Sequence, residues 1–569
     1  MTLDRRSLLK SFGVGAAAAP LISGPAIAEA AGAVRFDHGV ASGDPSTTAA
    51  IFWTRVTPPD GATADIPVVL EVATDAAFAH PVRRSTGLAA TAARDFTVKH
   101  DLDGQGLEPG REYFYRFVAA GVTSPVGRVK TLSEGRTPDA VMAVVSCQLY
   151  PGGLFNAYDA ISRLERVDAV VHLGDYIYEY GAEADAYGMT TGAALNRVPV
   201  PTHEIVSLAD YRLRHAQYKS DPDLQAAHAR AAFICVWDDH EVANDTWQTG
   251  AENHQPATEG EFSARKAAAL KAYFEWMPIR EPAPGRMAEA IQRTFHFGDL
   301  ASLMMVETRL QGRGQQLDYA TDMTFKAGPD GRPAPDAAAF EARRHAADRD
   351  LLDGPQRDWL GGELAASRAA GRPWQVLGNQ VVMARVAGPN IAAMMTPEQV
   401  TGLLAQLPPA IRGQVEQSAA LFALGLPFNL DSWDGYPAGR ERLYETFRTA
   451  GVQPLVLAGD SHAFWVNDLK NAAGARVAVE LGTSSISSPS PADAIGGFPL
   501  GQALAATNAE VLHCDQSGKG FILLTLTHEE ARAELMAVST ITAKPYETRV
   551  TTTVRMTQGP DGLTDPVLA

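Results

Sequence analysis

From residue 34 to residue 131, apolar and polar positions alternate in short runs broken by turn residues. Ala49-Ala-Ile-Phe-Trp53, Pro67-Val-Val-Leu-Glu-Val72, Phe96-Thr-Val-Lys-His100 and Tyr113-Phe-Tyr-Arg-Phe-Val118 are rich in β-branched and aromatic side chains, as half-buried strands are. The pattern predicts a small all-β sandwich over residues 31–132. A polar stretch at 133–139, carrying Gly135 and Pro138, reads as a linker. Over residues 137–569 the pattern changes. Short continuous apolar runs end in polar clusters and alternate with helical stretches. Val141-Met-Ala-Val-Val145 runs into Ser-Cys-Gln, Ala169-Val-Val-His-Leu173 into Gly-Asp, and Phe233-Ile-Cys-Val-Trp237 into Asp-Asp-His. Gln375-Val-Leu377 runs into Gly-Asn-Gln, and Pro454-Leu-Val-Leu-Ala458 into Gly-Asp-Ser-His. Runs without alternation predict strands buried on both faces and hence an α/β domain. Such sheets place ligands beyond the carboxyl ends of their strands, so these five ends are expected to meet at one site. Residues 311–335 and 387–434 read as loops or lids, and 521–526 with 533–538 as an antiparallel pair.

In the first region, Leu107-Glu-Pro-Gly-Arg-Glu-Tyr113 resembles the tyrosine corner of fibronectin-like sandwiches, where a Tyr hydroxyl bonds back to the chain across a turn. Composition adds limits. The 569 residues are 46% hydrophobic and 20% charged, ordinary for a globular protein with a sizeable core. A net charge of -17 argues against a nucleic-acid-binding module but not against acidic residues that hold cations. Three cysteines, Cys147, Cys235 and Cys514, allow at most one disulfide. At the N-terminus, Asp4-Arg-Arg-Ser-Leu-Leu-Lys10 resembles the twin-arginine export motif. A weakly apolar stretch and Ala26-Ile-Ala28, with Ala28-Glu-Ala30 as an alternative, follow as a cleavage site. Residues 1–30 are therefore expected to be a signal peptide read by the twin-arginine machinery. The mature chain should be periplasmic or secreted and lack a stable membrane anchor. The competing reading is a retained signal anchor.

The polar clusters carry the chemistry. A two-metal hydrolytic site needs a bridging carboxylate between cations roughly 3.5–4 Å apart, with further ligands from other strands. Asp175, in Gly174-Asp-Tyr-Ile-Tyr178, is the bridging candidate, and Tyr178 lies one helical turn on. Alone, that segment reads as well as a capped helix start. Trp237-Asp-Asp-His-Glu-Val-Ala-Asn244 offers Asp239, His240 and Asn244, against a hydrogen-bonded capping cluster. Asp460 and His462 stand at i and i+2 in Gly459-Asp-Ser-His462, against a satisfied loop histidine. Cys147 stands where the other strands place ligands, although a lone cysteine defaults to a small buried hydrophobe. Cys235 and Cys514 default to inert thiols.

Together these segments resemble the alkaline phosphatase D family, a branch of the calcineurin-like metallophosphoesterases. His38-Gly-Val-Ala-Ser-Gly-Asp-Pro45 with Phe52-Trp-Thr-Arg55 is similar to the N-terminal signature. Ser146-Cys-Gln148 and the three clusters above are similar to the site motifs, with support from Tyr211-Arg-Leu-Arg214 and Asp431-Ser-Trp-Asp-Gly-Tyr436. The resemblance implies a four-layer α/β metallophosphoesterase sandwich after the β-sandwich. It also implies an exported phosphatase acting on small phosphate esters, monoesters and diesters, through a metal-bound hydroxide or oxide. Metal binding lowers the pKa of water from about 15.7 to roughly 7, on the order of 12 kcal/mol of deprotonation cost. By the same resemblance, Cys147, Asp175, Tyr178 and His462 hold Fe³⁺. Asp175, Asn244 and Asp460 hold Ca²⁺, with Asp239 a further candidate. Carboxylates standing where imidazole and amide are usual favour an oxygen-loving cation. His240 is expected to act as an acid or orienting group, and Arg212 and Arg214 to contact phosphate. Asn379 and Asp434 have no assigned role, and Glu307 and Asp245 depart from the family pattern.

Three rival readings remain. One is a serine nucleophile drawn from Ser461 or Ser484 to Ser488, another a diesterase of the phospholipase D type acting on phospholipid head groups. The third is a non-catalytic metal-binding protein.

Overall fold

The computed structural model describes residues 33–569 except 105, 329–330, 408, 497 and 560–561, and the side chains of 409–411. The signal peptide expected over 1–30 lies outside the described residues.

Two large sheets form the centre. The first has eleven strands. In spatial order its main path runs through Thr548–Gly559, Glu530–Val538, Lys519–Thr527, Asp139–Val145, Ala169–His172, Ala232–Cys235, Val40–Gly43, Ala50–Arg55 and Thr97–Leu102. The second has seven: Arg293–Phe297, Ala301–Met305, Trp374–Gly378, Leu455–Ala458, Arg476–Gly482, Phe464–Lys470 and Val511–Asp515. Each sheet has a parallel centre. Asp139–Val145, Ala169–His172 and Ala232–Cys235 pair in parallel in the first, and Ala301–Met305, Trp374–Gly378, Leu455–Ala458 and Arg476–Gly482 in the second. These strands are buried apart from Asp139 and Arg476 at two of their starts, in keeping with the unbroken apolar runs at 141–145, 169–173, 233–237, 375–377 and 454–458.

The two sheets face each other. One core cluster joins Val144, Val171 and Ile234 of the first to Leu303, Val376 and Leu457 of the second. The far face of the second sheet, with Met304, Leu377 and Val456, packs on Leu360 and Leu364 of helix Gly354–Ala369 and Leu443 and Phe447 of helix Pro437–Ala450. Helices Asn156–Ser162, Pro222–Arg230 and Phe262–Trp276 pack into the core of the first sheet. The result is a helix–sheet–sheet–helix sandwich, the four layers expected. No helix among the described residues is long and apolar enough to cross a membrane.

The N-terminal region is a β-sandwich, but it does not stand apart. One of its layers is the sheet of Ile66–Ala73, Pro81–Ala90, Glu112–Ala119, Val122–Thr123 and Gly127–Lys130. Its other layer, Val40–Gly43, Ala50–Arg55 and Thr97–Leu102, is continuous with the eleven-stranded sheet, where Gly43 pairs with Phe233 in parallel. A Cβ at position 43 would lie 2.1 Å from the Pro278 carbonyl oxygen and 2.6 Å from that of Phe233, so only glycine lets the strands join. The tyrosine corner is present, with the Glu108 N–H donating to the Tyr113 hydroxyl at 2.7 Å.

Side chains lock the junction. The Trp53 indole donates to the Glu275 carbonyl at 2.8 Å. Asp44, fully buried, accepts from the Arg280 N–H at 2.7 Å and from Arg293 Nε and Nη2 at 3.0 and 2.8 Å. Removing one partner of a buried pair strands the other, at a cost on the order of 3 kcal/mol or more. Asp44→Ala is therefore expected to lower unfolding free energy by about that amount in urea titration. An unchanged midpoint would show that the junction does not depend on this pair.

Candidate metal centre

The predicted metal donors and His240 stand on loops past parallel strands, whereas Arg212 lies on helix Leu208–Lys219. Cys147 follows Asp139–Val145, Asp175 follows Ala169–His172, and Asp238, Asp239 and His240 follow Ala232–Cys235. Asp460 and His462 follow Leu455–Ala458 in the facing sheet. The Cys147 N–H donates to the Gly174 carbonyl at 3.1 Å and the Gln148 N–H to the Asp175 carbonyl at 3.0 Å. Gly174, at φ 106°, is required by contact as well as conformation, since a Cβ there would lie 2.4 Å from Asp238. Backbone strain concentrates at these ends. Cys147, Asp175, Asp245, Asp460 and His462 all adopt left-handed φ between 51° and 60°. That conformation costs a non-glycine residue about 1 kcal/mol and persists where surrounding structure fixes it, commonly at functional sites.

Four sets of donors lie with one ligand atom per residue within 4.8 Å of the others. They are Cys147, Asp175 and His462; Asp175, Asp239 and His240; Asp238, Asp239 and Asp460; and Asp239, Asp245 and Asp431. Asp175 belongs to two sets and Asp239 to three, the arrangement a bridging carboxylate requires. Tyr178 joins the first. Its hydroxyl donates to Asp175 Oδ2 at 3.0 Å and lies 3.4 Å from His462 Nε2 and 2.8 Å from Ser488 Oγ. The other ring nitrogen of His462 lies 3.1 Å from the Tyr187 hydroxyl and 2.6 Å from the Pro489 carbonyl oxygen, which turns Nε2 toward the site. His240 is held through Nδ1 by Glu179 Oε2 at 2.7 Å, leaving Nε2 for a ligand or a proton. Glu179 also accepts from the Asn244 N–H at 2.9 Å, and the Asn244 side-chain oxygen accepts from Tyr180 at 3.1 Å.

The electrostatics favour a bound cation. Two carboxylates 4.8 Å apart repel by about 3 kcal/mol at an effective dielectric near 20. Burial pushes the Asp175 carboxyl well above the usual carboxylate range; Asp239 and Asp238 add to the push and His240 opposes it. Burial likewise raises the Cys147 thiol, with Asp175 adding to the shift, and the Tyr178 phenol, with Asp175 and Cys147 adding. Asp175 Oδ1 and Asp238 Oδ2 are buried without a hydrogen-bond partner. A thiol, a phenol, an imidazole and partnerless carboxylate oxygens converging in one dry place fit a metal centre. A cation would both satisfy the oxygens and restore the ionised donors.

Sequence reasoning missed the residues that organise this charge. Arg309 is fully buried in the acid cluster. Its Nε donates to Asp238, its Nη1 to Asp431 at 2.8 and 2.9 Å, and its Nη2 lies 3.4 Å from Asp460 and 3.5 Å from Asp239. Burial opposes its charge, but the four carboxylates hold it protonated. Glu241 accepts from the N–H groups of Asp175 at 3.1 Å, Asp238 at 2.7 Å and Tyr176, binding two ligand loops with one carboxylate. Burial raises Glu241 to about 7 against the pull of those N–H groups.

Two expectations need correction. Arg212 does not reach the site. It forms a two-pronged pair with Glu275 at 2.7 and 2.8 Å and donates to the Ala93 carbonyl, joining the N-terminal region to helix Phe262–Trp276. Arg214 is buried with its guanidinium on the carbonyls of Tyr178, Val200 and Pro201, so it shapes the loop instead of contacting phosphate. Three residues without a clear role are now placed. Asn379 is spent on Val381 and the Trp433 indole, Asp434 on Arg440 and the Val386 N–H, and Glu307 on the Trp237 indole and three backbone N–H groups. Asp245 lies closer to the chemistry than the sequence suggested, in the donor set with Asp239 and Asp431. The serine alternative weakens: Ser484, Ser485, Ser487 and Ser488 are buried with hydroxyls donating to carbonyl oxygens, and no base activates them. Cys235 and Cys514 are buried and unpaired.

Comparison with known proteins agrees with this layout. The PhoD-like phosphatase family matches residues 142–535, and the family's N-terminal domain matches residues 21–133. Alkaline phosphatase D of Bacillus subtilis (strain 168) is 34% identical over 496 residues, covering 82% of this chain and 73% of that protein. The solved structure of PhoD is similar with a TM-score of 0.74 and 30% identity, covering 96% of this chain and 93% of that one.

Glu241→Ala leaves three buried N–H groups without an acceptor, each costing about 1–3 kcal/mol, and releases two ligand loops. It should weaken metal retention by roughly 10- to 100-fold, read by chelator competition. Arg309→Met should lower the apparent melting temperature of chelator-treated protein, since it leaves Asp238 without its guanidinium, while Asp431 keeps only Arg313. Equal melting would show that the acids are neutral there.

Proposed function

The chain belongs to the PhoD-like phosphatase family, and we propose that it is an exported, metal-dependent phosphatase that hydrolyses phosphate monoesters, and diesters at the same site. That it is a phosphoric ester hydrolase follows from the family. The observation that carries the metal reading is the sharing of buried Asp175 by two donor sets of different chemistry. One offers thiol, imidazole and, through Tyr178, phenol, a set suited to Fe³⁺. The other joins Asp175 to Asp239 and the His240 imidazole, and Asp239 leads on to Asp238 and Asp460, carboxylates suited to Ca²⁺. Cys147, Asp175, Tyr178 and His462 would hold the iron; Asp175, Asp239, Asn244 and Asp460 would hold calcium. When bound, such cations act as Lewis acids on phosphoryl oxygens and make water acidic at neutral pH.

The chain's own groups do the rest. Arg309 sets a positive charge beside Asp238, Asp239 and Asp460, and so limits how much negative charge accumulates before substrate arrives. Glu179 fixes the His240 ring through Nδ1, so Nε2 is the atom from which a proton passes to the leaving alkoxide. Tyr178 lies against His240 with ring centroids 4.2 Å apart and prevents the imidazole from rotating away. The loops that carry the donors are closed by Glu241 and by Ser487 and Ser488, whose N–H groups both point to the Cys147 carbonyl. Export is supported by Arg5-Arg6 and the small-residue stretch after them.

Purified protein is expected to contain iron and calcium, to show a visible tyrosinate charge-transfer band, and to lose that band in Tyr178→Phe. Asp175→Asn should lower kcat/KM by about three orders of magnitude, on the scale of several kcal/mol of lost transition-state stabilisation. Activity that survives exhaustive chelation, or a colourless zinc enzyme with full activity, would overturn the metal assignment. Replacing Arg5 and Arg6 together by lysine should retain the precursor in the cytoplasm, read by cell fractionation; normal export of that variant would overturn the twin-arginine reading.

A further inference from the structure

Beside the metal centre lies a cavity of ≈ 200 Å³ whose lining includes Asp460, Ser461 and His462. Its remaining wall is largely hydrocarbon. Leu403 and Leu407 come from the end of the chain segment containing helix Pro397–Gln406, and Phe422 from helix Pro409–Phe422. Val386, Phe428 and Trp465 come from the body of the domain. The Phe422 and Phe428 rings meet with centroids 5.8 Å apart. Most polar side chains on the wall are engaged with the protein, but Gln516 Oε1 is buried without a hydrogen-bond partner. Ser418 donates to the Gln414 carbonyl and Ser432 to the Asn429 carbonyl, Ser461 accepts from the Trp465 indole, and the Asn429 side chain accepts from the Asp431 N–H. No arginine or lysine lines it.

The cavity therefore offers a phosphate ester two unlike surfaces within one substrate length. At one end are Asp460 and His462 of the metal centre; beyond them the surface is mostly hydrocarbon, with the Gln516 amide among its few polar groups. A polar substituent placed against that hydrocarbon would lose its water without compensation, at a cost on the order of 1–3 kcal/mol per group. An apolar substituent would gain by leaving water. Size narrows the class further: an apolar cavity of about 150 Å³ is enough for benzene. We infer that the specificity pocket of this enzyme takes an apolar substituent of aryl or short-alkyl size on the phosphate ester. The preferred substrate class is thus small amphiphilic phosphate esters. The inference rests on the phosphoesterase reading of the adjoining site.

The test uses full-length mature protein loaded with its metals. The first arm measures calorimetric binding of n-alkylphosphonates from methyl to hexyl, which carry the charge without the scissile ester and so report on the pocket whether or not hydrolysis occurs. Affinity should rise by up to about fourfold per methylene and then level off as the cavity fills. The second arm measures kcat/KM for the matching alkyl phosphates. The third repeats both with Ala419→Phe and with Leu403→Trp, each of which fills the cavity away from the metal donors. Both variants should flatten the chain-length dependence, with an unchanged melting temperature showing that they fold. Chain-length independence in the unaltered protein would overturn the inference, as would faster turnover of dioleoylphosphatidylcholine vesicles than of hexyl phosphate. Failure of the phosphoesterase reading looks different: methyl phosphate would not be hydrolysed, while alkylphosphonate affinity would still report on the pocket.

Discussion

Mutual repulsion among buried carboxylates is the constraint around which this molecule is arranged. Asp175, Asp238, Asp239 and Asp460 come from three strand ends in two sheets, and each is at most 1% exposed. Four like charges in so dry a volume cannot all be ionised without compensation. Arg309 supplies one positive charge from inside the cluster, and His240, steadied by Glu179, supplies a second. The oxygens left without partners mark where the remaining compensation belongs. The β-rich framework can hold such a cluster because its position is set elsewhere: the strand ends are fixed by parallel ladders whose side chains are apolar on both faces.

The loops convert that framework into geometry. Their left-handed residues would relax if released, and they are not released, because neighbouring backbones are bonded to one another. Cys147 is tied to Gly174, Gln148 to Asp175, and the Asp175 and Asp238 loops to Glu241. The donors are thus set in place by the protein before any ion arrives, which lowers the reorganisation needed on binding. The apolar cavity next to Asp460 and His462 shares this rigid wall on one side, while helices Pro397–Gln406 and Pro409–Phe422 close the other.

Much of this could be read along the chain, and the failures have a common origin. Cys147, Asp175, Asp239, Asp460 and His462 were visible because each follows a continuous apolar run, a signal confined to a few adjacent residues. The buried strands were legible for the same reason; the tyrosine corner was legible in the segment Leu107 to Tyr113, and the pairing of two sheets only through the family resemblance. Arg309 was not, since an arginine a few residues past a strand looks like any surface arginine, and only the fold turns it inward. Glu241 was hidden inside a motif quoted for its neighbours, because its task is to accept backbone N–H groups that no side-chain pattern records. Arg212 failed in the opposite sense: proximity to a family-like segment suggested phosphate, whereas helix Leu208–Lys219 directs it to Glu275. The sharing of one sheet between the N-terminal and catalytic regions was also out of reach, since the pairing partner of Gly43 lies at Phe233.

The pairing order of the first sheet bears on how the chain matures. Strand Asp139–Val145, whose end carries Cys147, is flanked on one side by Ala169–His172 and on the other by Lys519–Thr527. The first neighbour follows within a few dozen residues, whereas the second lies hundreds of residues further along the chain. Until that second strand is available, the largely apolar Asp139–Val145 strand has one open edge, a geometry prone to recruit foreign strands. The loop that carries Cys147 is thus completed by contacts between distant parts of the chain, and its assembly is tied to the folding of the whole sheet.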